Sequence, residues 1–129
     1  MTAIVKAIDH FVLTVEDIDV TCEFYSRVVG AERVDFGNGR VALQIGNQKI
    51  NLHRQGHEFA PYAARPVAGS ADFCLVAAAP IATVADHVRQ TGVEIVLGPT
   101  GKTGAVGPIT SIYFRDPDGN LVEIGSYEG

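Results

Sequence analysis

Apolar positions recur along the chain with two different spacings, which alternate and predict the secondary structure. Residues 4–15 are rich in β-branched and apolar types, which is typical of a strand. Apolar residues at helical spacing then predict a helix that is capped by Asp17 or Asp19 and runs to about Val29, with Gly30 at its C-terminal end. Three short strands follow at residues 31–36, 40–45 and 49–53, separated by turns rich in glycine and asparagine.

The same order of elements begins again in the second half of the chain. A strand is predicted at residues 71–77 and a helix from Pro80 to Gly92. Further strands are predicted at residues 93–97, 109–115 and 121–125, with a glycine-rich loop at residues 98–107. The predicted fold class is therefore α+β, with two βαβββ modules. The expected organisation is a single domain, 1–129, made of repeat 1 (about 4–53), a connector (54–69) and repeat 2 (about 70–126).

The last two predicted strands are joined by the segment Asp116-Pro117-Asp118-Gly119-Asn120. Proline presets φ, glycine supplies a positive φ, and the Asp and Asn side chains can bond the local backbone, so the segment predicts a tight turn. The strand behind the turn is apolar apart from Glu123. A glutamate in that position is either a solvated edge residue or a buried ligand.

The repeat selects four polar residues that lie in otherwise apolar strands. His10 and Asp72 are 62 residues apart in the first strands of the two halves, and Asn51 and Glu123 are 72 residues apart in the last strands. If the modules pair about a pseudo-twofold axis, these positions converge on a shared cleft. An imidazole together with carboxylates suits a divalent metal ion, so we predict a metal site there.

Each of these residues also has a simpler interpretation. His10 would be a hydrogen-bonded core histidine, Asp72 a turn cap, and Asn51 a hydrogen-bonding residue rather than a ligand. His53 is two residues from Asn51 on the same strand face, which makes it a further candidate ligand. His57 and His87 are interpreted as surface residues.

Three other residues are candidates for contact with a substrate: Arg54, Lys102 and Tyr113. Lys102 lies in the predicted glycine-rich loop, which would close over an anionic substrate. The spacing in this loop does not match that of a phosphate-binding P-loop. The alternative for all three is an ordinary surface or packing role.

Composition narrows the range of partners and locations. The net charge of −5 and the absence of a Lys/Arg run argue against nucleic acid, and no apolar stretch has the length of a membrane span. The sequence begins with strand-like residues rather than with a signal-peptide pattern. Two cysteines, Cys22 and Cys74, do not make a disulfide framework, so both are predicted to be packed thiols in a reducing cytoplasm.

Several motifs together resemble those of the vicinal oxygen chelate superfamily, which includes glyoxalase I, fosfomycin- and bleomycin-resistance proteins and extradiol dioxygenases. The matching stretches are Asp9-His10, Phe24-Tyr25, Val29-Gly30, Lys49–His53 and Gly107–Glu123. The resemblance covers essentially the whole chain and is greatest to the small glyoxalase-domain proteins and their bacterial lactoylglutathione-lyase-like relatives. It implies a curved, half-open mixed β barrel around a metal cleft.

The resemblance places the metal site of the family on His10, Asn51, Asp72 and Glu123. A bacterial glyoxalase I has Glu in place of Asn51 and His in place of Asp72, so the second carboxylate of the lyase pattern is absent. The implied function is a metal-dependent (Zn, Ni, Mn or Fe) lyase- or isomerase-like enzyme that chelates vicinal oxygens of a small substrate. Glu123 would be the catalytic base.

Two alternatives stay open at this point. One is a metal-free protein that binds and sequesters a small molecule, as bleomycin-resistance proteins do. The other is a ring-cleaving dioxygenase, although such enzymes use two His and one Glu, and Asp72 departs from that set. A homodimer is expected in either case, because open sheet edges invite pairing and the resembling family commonly dimerises.

Overall fold

The computed structural model describes residues 2–129, and its elements follow the order strand, helix and three strands, twice. The first set is β1 (His10–Val15), α1 (Ile18–Val29), β2 (Glu32–Phe36), β3 (Arg40–Ile45) and β4 (Gln48–Arg54). The second set is β5 (Asp72–Val76), α2 (Ile81–Gln90), β6 (Leu97–Gly104), β7 (Gly107–Arg115) and β8 (Leu121–Ser126). The predicted α+β class is confirmed.

The strands form two four-stranded mixed sheets that do not close into a barrel. The strand orders are β1-β4-β3-β2 and β5-β8-β7-β6. In each sheet the first strand lies parallel to the last, and the other pairs are antiparallel. This arrangement agrees with the expected half-open architecture.

The first and last strands pair in the same register in the two sheets. His10 pairs with Lys49 and Val12 with Asn51 in the first sheet, while Asp72 pairs with Leu121 and Cys74 with Glu123 in the second. Each pairing of the first sheet therefore recurs at the repeat-equivalent positions of the second. Asn51 and Glu123 occupy matching places on the inner strands β4 and β8.

Both helices pack against the sheets and share one core with them. Asp17 caps α1 through a 3.0 Å hydrogen bond from the backbone N–H of Val20, and Gly30 ends the helix with φ of 75°. Phe24 of α1 lies 6.1 Å, between ring centroids, from Phe114 of β7. The core draws on α1, α2 and one face of each sheet, including Leu13, Val15, Tyr25, Val28, Leu43, Ile50, Leu52, Val88, Ile112, Phe114 and Val122.

The predicted turn between β7 and β8 is built around Asp116, which is buried. Its Oδ1 accepts hydrogen bonds from the backbone N–H groups of Asp118 and Asn120, at 2.9 and 3.0 Å. Its Oδ2 accepts from the Tyr25 hydroxyl at 2.7 Å and from Asn120 Nδ2 at 2.8 Å. The turn is therefore anchored to α1, which belongs to the other module.

Three element predictions are wrong in part. Residues 4–9 are not part of β1, since they have no partner strand, and Ile4 and Val5 are 92% and 81% exposed. Residues 98–104 are not a loop, because they belong to β6, which pairs along β7 as far as Gly104. Of the strand predicted at 93–97, only Leu97 lies in β6, and residues 93–96 are irregular. Backbone pairing with β7 overrides the local preference of a Gly/Pro-rich sequence.

Neither helix between residues 2 and 129 has the length and apolar run that a membrane crossing requires.

Candidate functional site

Glu123 lies on the inner strand β8, where it pairs with Cys74 of β5 on one side and with Tyr113 of β7 on the other. It is half-buried, and the Ser111 hydroxyl donates a 2.6 Å hydrogen bond to its Oε2. The residues beside it in sequence, Val122 and Ile124, point into the core. The position is therefore not a solvated edge, and Glu123 projects from the face opposite the helices.

Polar hydrogen donors surround this carboxylate. Burial, and then the hydrogen bond and negative charge of Glu123, raise the pKa of Tyr113 above its ordinary value. Protein packed around the Cys74 sulfur, and then the charge of Glu123, raise the pKa of that thiol to about 11. Cys22 is buried as predicted, whereas Cys74 is an exposed residue whose sulfur is only partly covered, so the prediction of a packed thiol is wrong for Cys74.

Asp72 is the first residue of β5 and is exposed. It lies two residues before Cys74 on the same strand, so it shares the face of Glu123. Edge position and exposure leave its carboxylate accessible from solvent. The structure thus places Asp72 and Glu123 on one face of the second sheet.

His10 is the first residue of β1 and is also exposed. Its Nδ1 lies 2.7 Å from Oδ2 of Asp9. Because a carboxylate only accepts hydrogen bonds, Nδ1–H is the donor, and in the neutral imidazole this leaves Nε2 as the ring nitrogen with a free lone pair. The imidazole is therefore oriented and available to bind a cation.

Asn51 lies on the inner strand β4 between Val12 of β1 and Ala42 of β3. Its Oδ1 is buried and has no hydrogen-bond partner among residues 2–129. A buried unpartnered acceptor costs free energy in the isolated chain and marks a place where a ligand group would be favourable.

His53 shares the Asn51 face and is buried, with its ring 5.8 Å from that of Phe59. Burial, and then the nearby charge of Arg40, lower the pKa of His53 below its ordinary value. A lowered pKa favours the neutral imidazole, which is the form that binds a metal ion.

The two candidate faces lie on separate sheets, whose edge strands β1 and β5 are neighbours: the ring centroids of Phe11 and Phe73 are 5.1 Å apart, and one cavity is lined by both His10 and Cys74. The opposite faces of both sheets contribute to the same core, so the face of Asn51 and the face of Glu123 both turn away from it. Within residues 2–129, no three His, Cys, Asp or Glu side chains lie close enough together to hold a metal ion. One chain thus places Asp72 and Glu123 on one sheet face and His10, Asn51 and His53 on another, and within these residues it does not gather the two sets into a metal site.

The three predicted substrate contacts fall in different places. Lys102 lies on β6, and its Nζ is 5.7 Å from the ring centroid of Tyr113, so these two residues are neighbours on the Glu123 side. Arg54 ends β4 and is exposed, but strand alternation turns it to the face opposite Asn51. The predictions for His57 and His87 hold, since both are exposed.

Four residues that lie beside the candidate residues were not predicted from the sequence as part of the site: Ser111, Asp9, Arg40 and Lys49. Asp9 and Lys49 had detectable signals, because one precedes His10 and the other stands two residues before Asn51. Ser111 and Arg40 reach the site only through strand pairing, and the register of that pairing is not encoded in local spacing.

Fold and site together define a class: a small α+β protein with two equivalent βαβββ modules, each presenting polar groups on the sheet face opposite its helix. Residues 7–124 match the family model described as the Glyoxalase/Bleomycin resistance protein/Dioxygenase superfamily. The chain belongs to this superfamily, and the resemblance seen in the sequence is confirmed.

Two named relatives cover nearly the whole chain. Virulence protein STM3117 of Salmonella typhimurium is 53% identical over 124 residues, which are 96% of this chain and 86% of that protein. Glyoxalase domain-containing protein RDO1 of Mycosarcoma maydis is 51% identical over 124 residues, 96% of this chain and 70% of that protein.

Solved structures of different description share the fold. Lactoylglutathione lyase from Agrobacterium tumefaciens is 25% identical with a TM-score of 0.75, and the match covers 98% of this chain and 97% of that one. TnmS3, an antibiotic binding protein from Streptomyces sp. CB03234, is 17% identical with a TM-score of 0.75, over 97% and 98% of the two chains. The second likeness shows the fold alone.

Proposed function

We propose that this protein is a metal-dependent enzyme of the glyoxalase-like class that acts on a small molecule with two neighbouring oxygen atoms. The proposed site lies between two copies of the chain. His10 and Asn51 come from one copy, and Asp72 and Glu123 come from the other. The proposed reaction is a proton transfer, as in isomerisation or lyase chemistry.

The observation that carries this proposal is the pairing of His10 with Asp9. Histidine ligands almost always donate their other ring N–H to a carboxylate, carbonyl or water, which fixes the tautomer and strengthens the ligand. The 2.7 Å contact from His10 Nδ1 to Asp9 supplies this arrangement at the first residue of β1.

The remaining donors fit the same ion. Asn51 offers a buried amide oxygen that no group among residues 2–129 satisfies. Asp72 and Glu123 add two carboxylates, so a divalent cation would be neutralised by its ligands, and His53 supplies a further neutral imidazole on the Asn51 face. Nitrogen and oxygen donors of this kind suit Zn, Ni, Mn or Fe. A bound ion would act as a Lewis acid on the substrate oxygens.

Surface exposure supports assembly from two copies. Large apolar side chains stand on the same faces as the candidate ligands: Val12, Val76 and Leu97 are 45%, 70% and 51% exposed. These residues lie on three different strands, and a surface that covered all of them would have to span both candidate faces. A second copy that covers these faces would bring the two ligand sets together, and homodimers with a twofold axis are the commonest assemblies.

Glu123 is the residue we assign to proton transfer. The Ser111 hydroxyl holds its Oε2 and thereby orients the carboxylate toward the open side of the sheet. Because Asn51 replaces the second carboxylate of the bacterial lyase pattern, we expect weak or no activity on the hemithioacetal of methylglyoxal and glutathione. The substrate is therefore a different vicinal-oxygen compound.

Elemental analysis of protein purified without chelators tests the proposal. We expect stoichiometric divalent metal in the wild-type protein and a large loss of it in Glu123→Gln. His87→Ala serves as the matched control, because His87 is exposed on α2. Wild-type protein that contains no metal and takes up none of Zn, Ni, Mn or Fe would contradict the proposal.

A second candidate is a metal-free protein that binds a small molecule. It is favoured by the hydrogen bond that Glu123 already receives from the Ser111 hydroxyl, because this bond satisfies part of the carboxylate without a metal ion. The antibiotic binding protein TnmS3 has the same fold, which supports this alternative. Thermal-shift screens with and without EDTA separate the two functions. If a ligand raises the melting temperature equally in the presence and absence of EDTA, the result favours the metal-free binding protein.

A further inference from the structure

A pair of cations stands on the Asn51 face of the first sheet. Asn51 pairs with Ala42, so Lys49 on β4 and Arg40 on β3, each two residues from one of them, project from the same face. Both residues are half-buried. Because the whole chain has a net charge of −5, two cations on one sheet face are a local excess of positive charge.

Aromatic rings hold both cations. Lys49 Nζ lies 4.1 Å from the ring centroid of Phe36, and the Arg40 guanidinium carbon lies 4.7 Å from that of Phe59. Phe36 pairs with Arg40 across β2 and β3, so the two contacts are adjacent. A ring beneath a cation stabilises it and limits its motion, while the N–H groups at the guanidinium edge stay free to bind in the plane.

Neither cation is neutralised by the protein. Arg27, Arg33 and Arg89 form ion pairs with carboxylates, but within residues 2–129 Arg40 and Lys49 form none. The acidic group beside them is Glu58, whose charge acts on His53 and whose Oε2 accepts from the Gly56 N–H at 2.7 Å. Partly buried cations without counter-ions favour an anionic ligand.

The sheet surface between Arg40 and Lys49 carries one small side chain and one polar side chain. Ala42 is fully buried and carries only a methyl group, and Asn51 Oδ1 beside it has no hydrogen-bond partner among the described residues. Ligand sites typically combine apolar and aromatic walls with a few placed polar groups. The cluster of Phe36, Arg40, Lys49, Asn51 and Phe59 has this composition.

We infer that Arg40 and Lys49 form an oxyanion-binding subsite beside Asn51, so that the molecule bound in the cleft carries a carboxylate or a phosphate group. The inference deepens the proposed function, on which it rests, by naming the class of substrate. Arg40 binds the oxyanion through its planar edge, and Lys49 adds a point charge from the opposite side. The vicinal oxygens then lie toward Asn51.

Titration of metal-free protein with inorganic phosphate and, separately, with malonate tests the inference, with 1H–15N NMR shifts of the Asn51 and Arg40 side chains as readout. We expect saturable binding of at least one anion. Arg40→Gln and Lys49→Gln should each raise its Kd about tenfold, the effect of one lost charge-assisted hydrogen bond. Arg89→Gln, on the exposed side of α2, should leave Kd unchanged.

Comparison of the two anions distinguishes the two kinds of substrate. Tighter binding of phosphate would indicate a phosphorylated substrate, and tighter binding of malonate would indicate a substrate with a carboxylate. Absence of saturable binding of both, or equal Kd values in the wild-type protein, Arg40→Gln and Lys49→Gln, would overturn the inference. Because the titration uses metal-free protein, failure of the metal proposal would not change this outcome. Melting temperatures of all variants separate lost binding from lost folding.

Discussion

At the scale of single residues, Asp116 links the two modules. Its carboxylate accepts from two backbone N–H groups of its own turn, from Asn120, and from the Tyr25 hydroxyl of α1. A buried carboxylate is tolerated only when its lone pairs are satisfied, and four donors do so here. The turn that the sequence predicts on local grounds thus also fixes α1 against the second sheet.

Tyr25→Phe tests this role. Loss of the hydroxyl removes a 2.7 Å hydrogen bond to a buried carboxylate, so we expect the free energy of unfolding to fall by about 1 to 3 kcal/mol. Chemical denaturation of Tyr25→Phe beside Tyr62→Phe measures it, since Tyr62 is 55% exposed and should tolerate the change. Equal stability of the two variants would contradict the assigned role of Asp116.

The same residue predicts a pH dependence. Burial, and then the Asp116 carboxylate, raise the pKa of Tyr25 far above its ordinary value of 10.0. Above pH 10 the unfolded chain releases this proton while the folded chain retains it, so unfolding becomes easier. The stability advantage of the wild type over Tyr25→Phe should therefore be complete below pH 10 and shrink above it, in urea titrations from pH 8 to about 11. An advantage that grows above pH 10 would contradict this sign.

Asp9→Asn tests the orientation of His10. An amide is a weaker acceptor for the Nδ1 proton than a carboxylate, so the metal affinity should fall by about 10- to 100-fold. Competition with a chelator of known affinity measures the change. Asp86→Asn on the exposed side of α2 is the matched control. Equal affinity in the two variants would show that Asp9 has no role at the metal.

Single residues of the candidate site were predictable where the internal repeat marked them. His10, Asp72, Asn51 and Glu123 were selected as polar types at equivalent places, and the strand register places them as equivalent pairs. Their roles as ligands stay predictions. Ser111 and Arg40 could not be found this way, because only strand pairing brings them beside Glu123 and Asn51.

At the scale of elements, β6 shows why composition alone misleads. Glycine and proline between residues 98 and 107 indicate a loop, yet β6 pairs with β7. The glycines permit close approach: a Cβ on Gly98 would collide with the carbonyl oxygen of Ser111, and one on Gly104 with the hydroxyl of Tyr127. These glycines allow the backbone of β6 to pack closely against neighbouring residues, and they do not mark a turn.

Gly98→Ala and Gly101→Ala form a matched test of β6. Gly98 has φ of 102° and no space for a methyl group, so alanine should destabilise the protein by about 2 kcal/mol or more. At Gly101 no neighbouring atom lies within 4 Å of the place that a Cβ would occupy, so alanine there should change stability by less than about 1 kcal/mol. Thermal unfolding of both variants gives the comparison. Equal tolerance would mean that β6 is not held against β7.

The other elements were predictable to within a residue or two. The cap at Asp17, the glycine end of α1 and the turns around Gly37-Asn38-Gly39 follow rules that are local. Residues 4–9 failed because their apolar pattern resembles a strand, while strand formation needs a neighbour that one chain does not supply. The division of the chain into two repeats and a connector stays a prediction.

At the scale of the whole molecule, the proposed site depends on association of two copies. Val76 is 70% exposed on the strand face that also carries Asp72 and Cys74. Val76→Asp should therefore convert a dimer to a monomer in analytical ultracentrifugation and lower the metal content with it. Val20→Asp is the control, since Val20 is 50% exposed in the first turn of α1, where an acidic residue is tolerated. A monomeric wild type, or a dimeric Val76→Asp with full metal, would contradict this expectation.

The most direct test of the shared metal site is the metal content of a mixed dimer. His10→Ala and Glu123→Gln chains with different tags are coexpressed, and dimers that carry both tags are isolated and analysed for metal. If each site takes His10 from one copy and Glu123 from the other, one site of the mixed dimer keeps all its ligands while its companion loses two. We expect half the wild-type metal content in the mixed dimer and little in either parent homodimer. No metal in the mixed dimer, beside a metal-loaded wild type, would place the ligands in one chain and contradict the account.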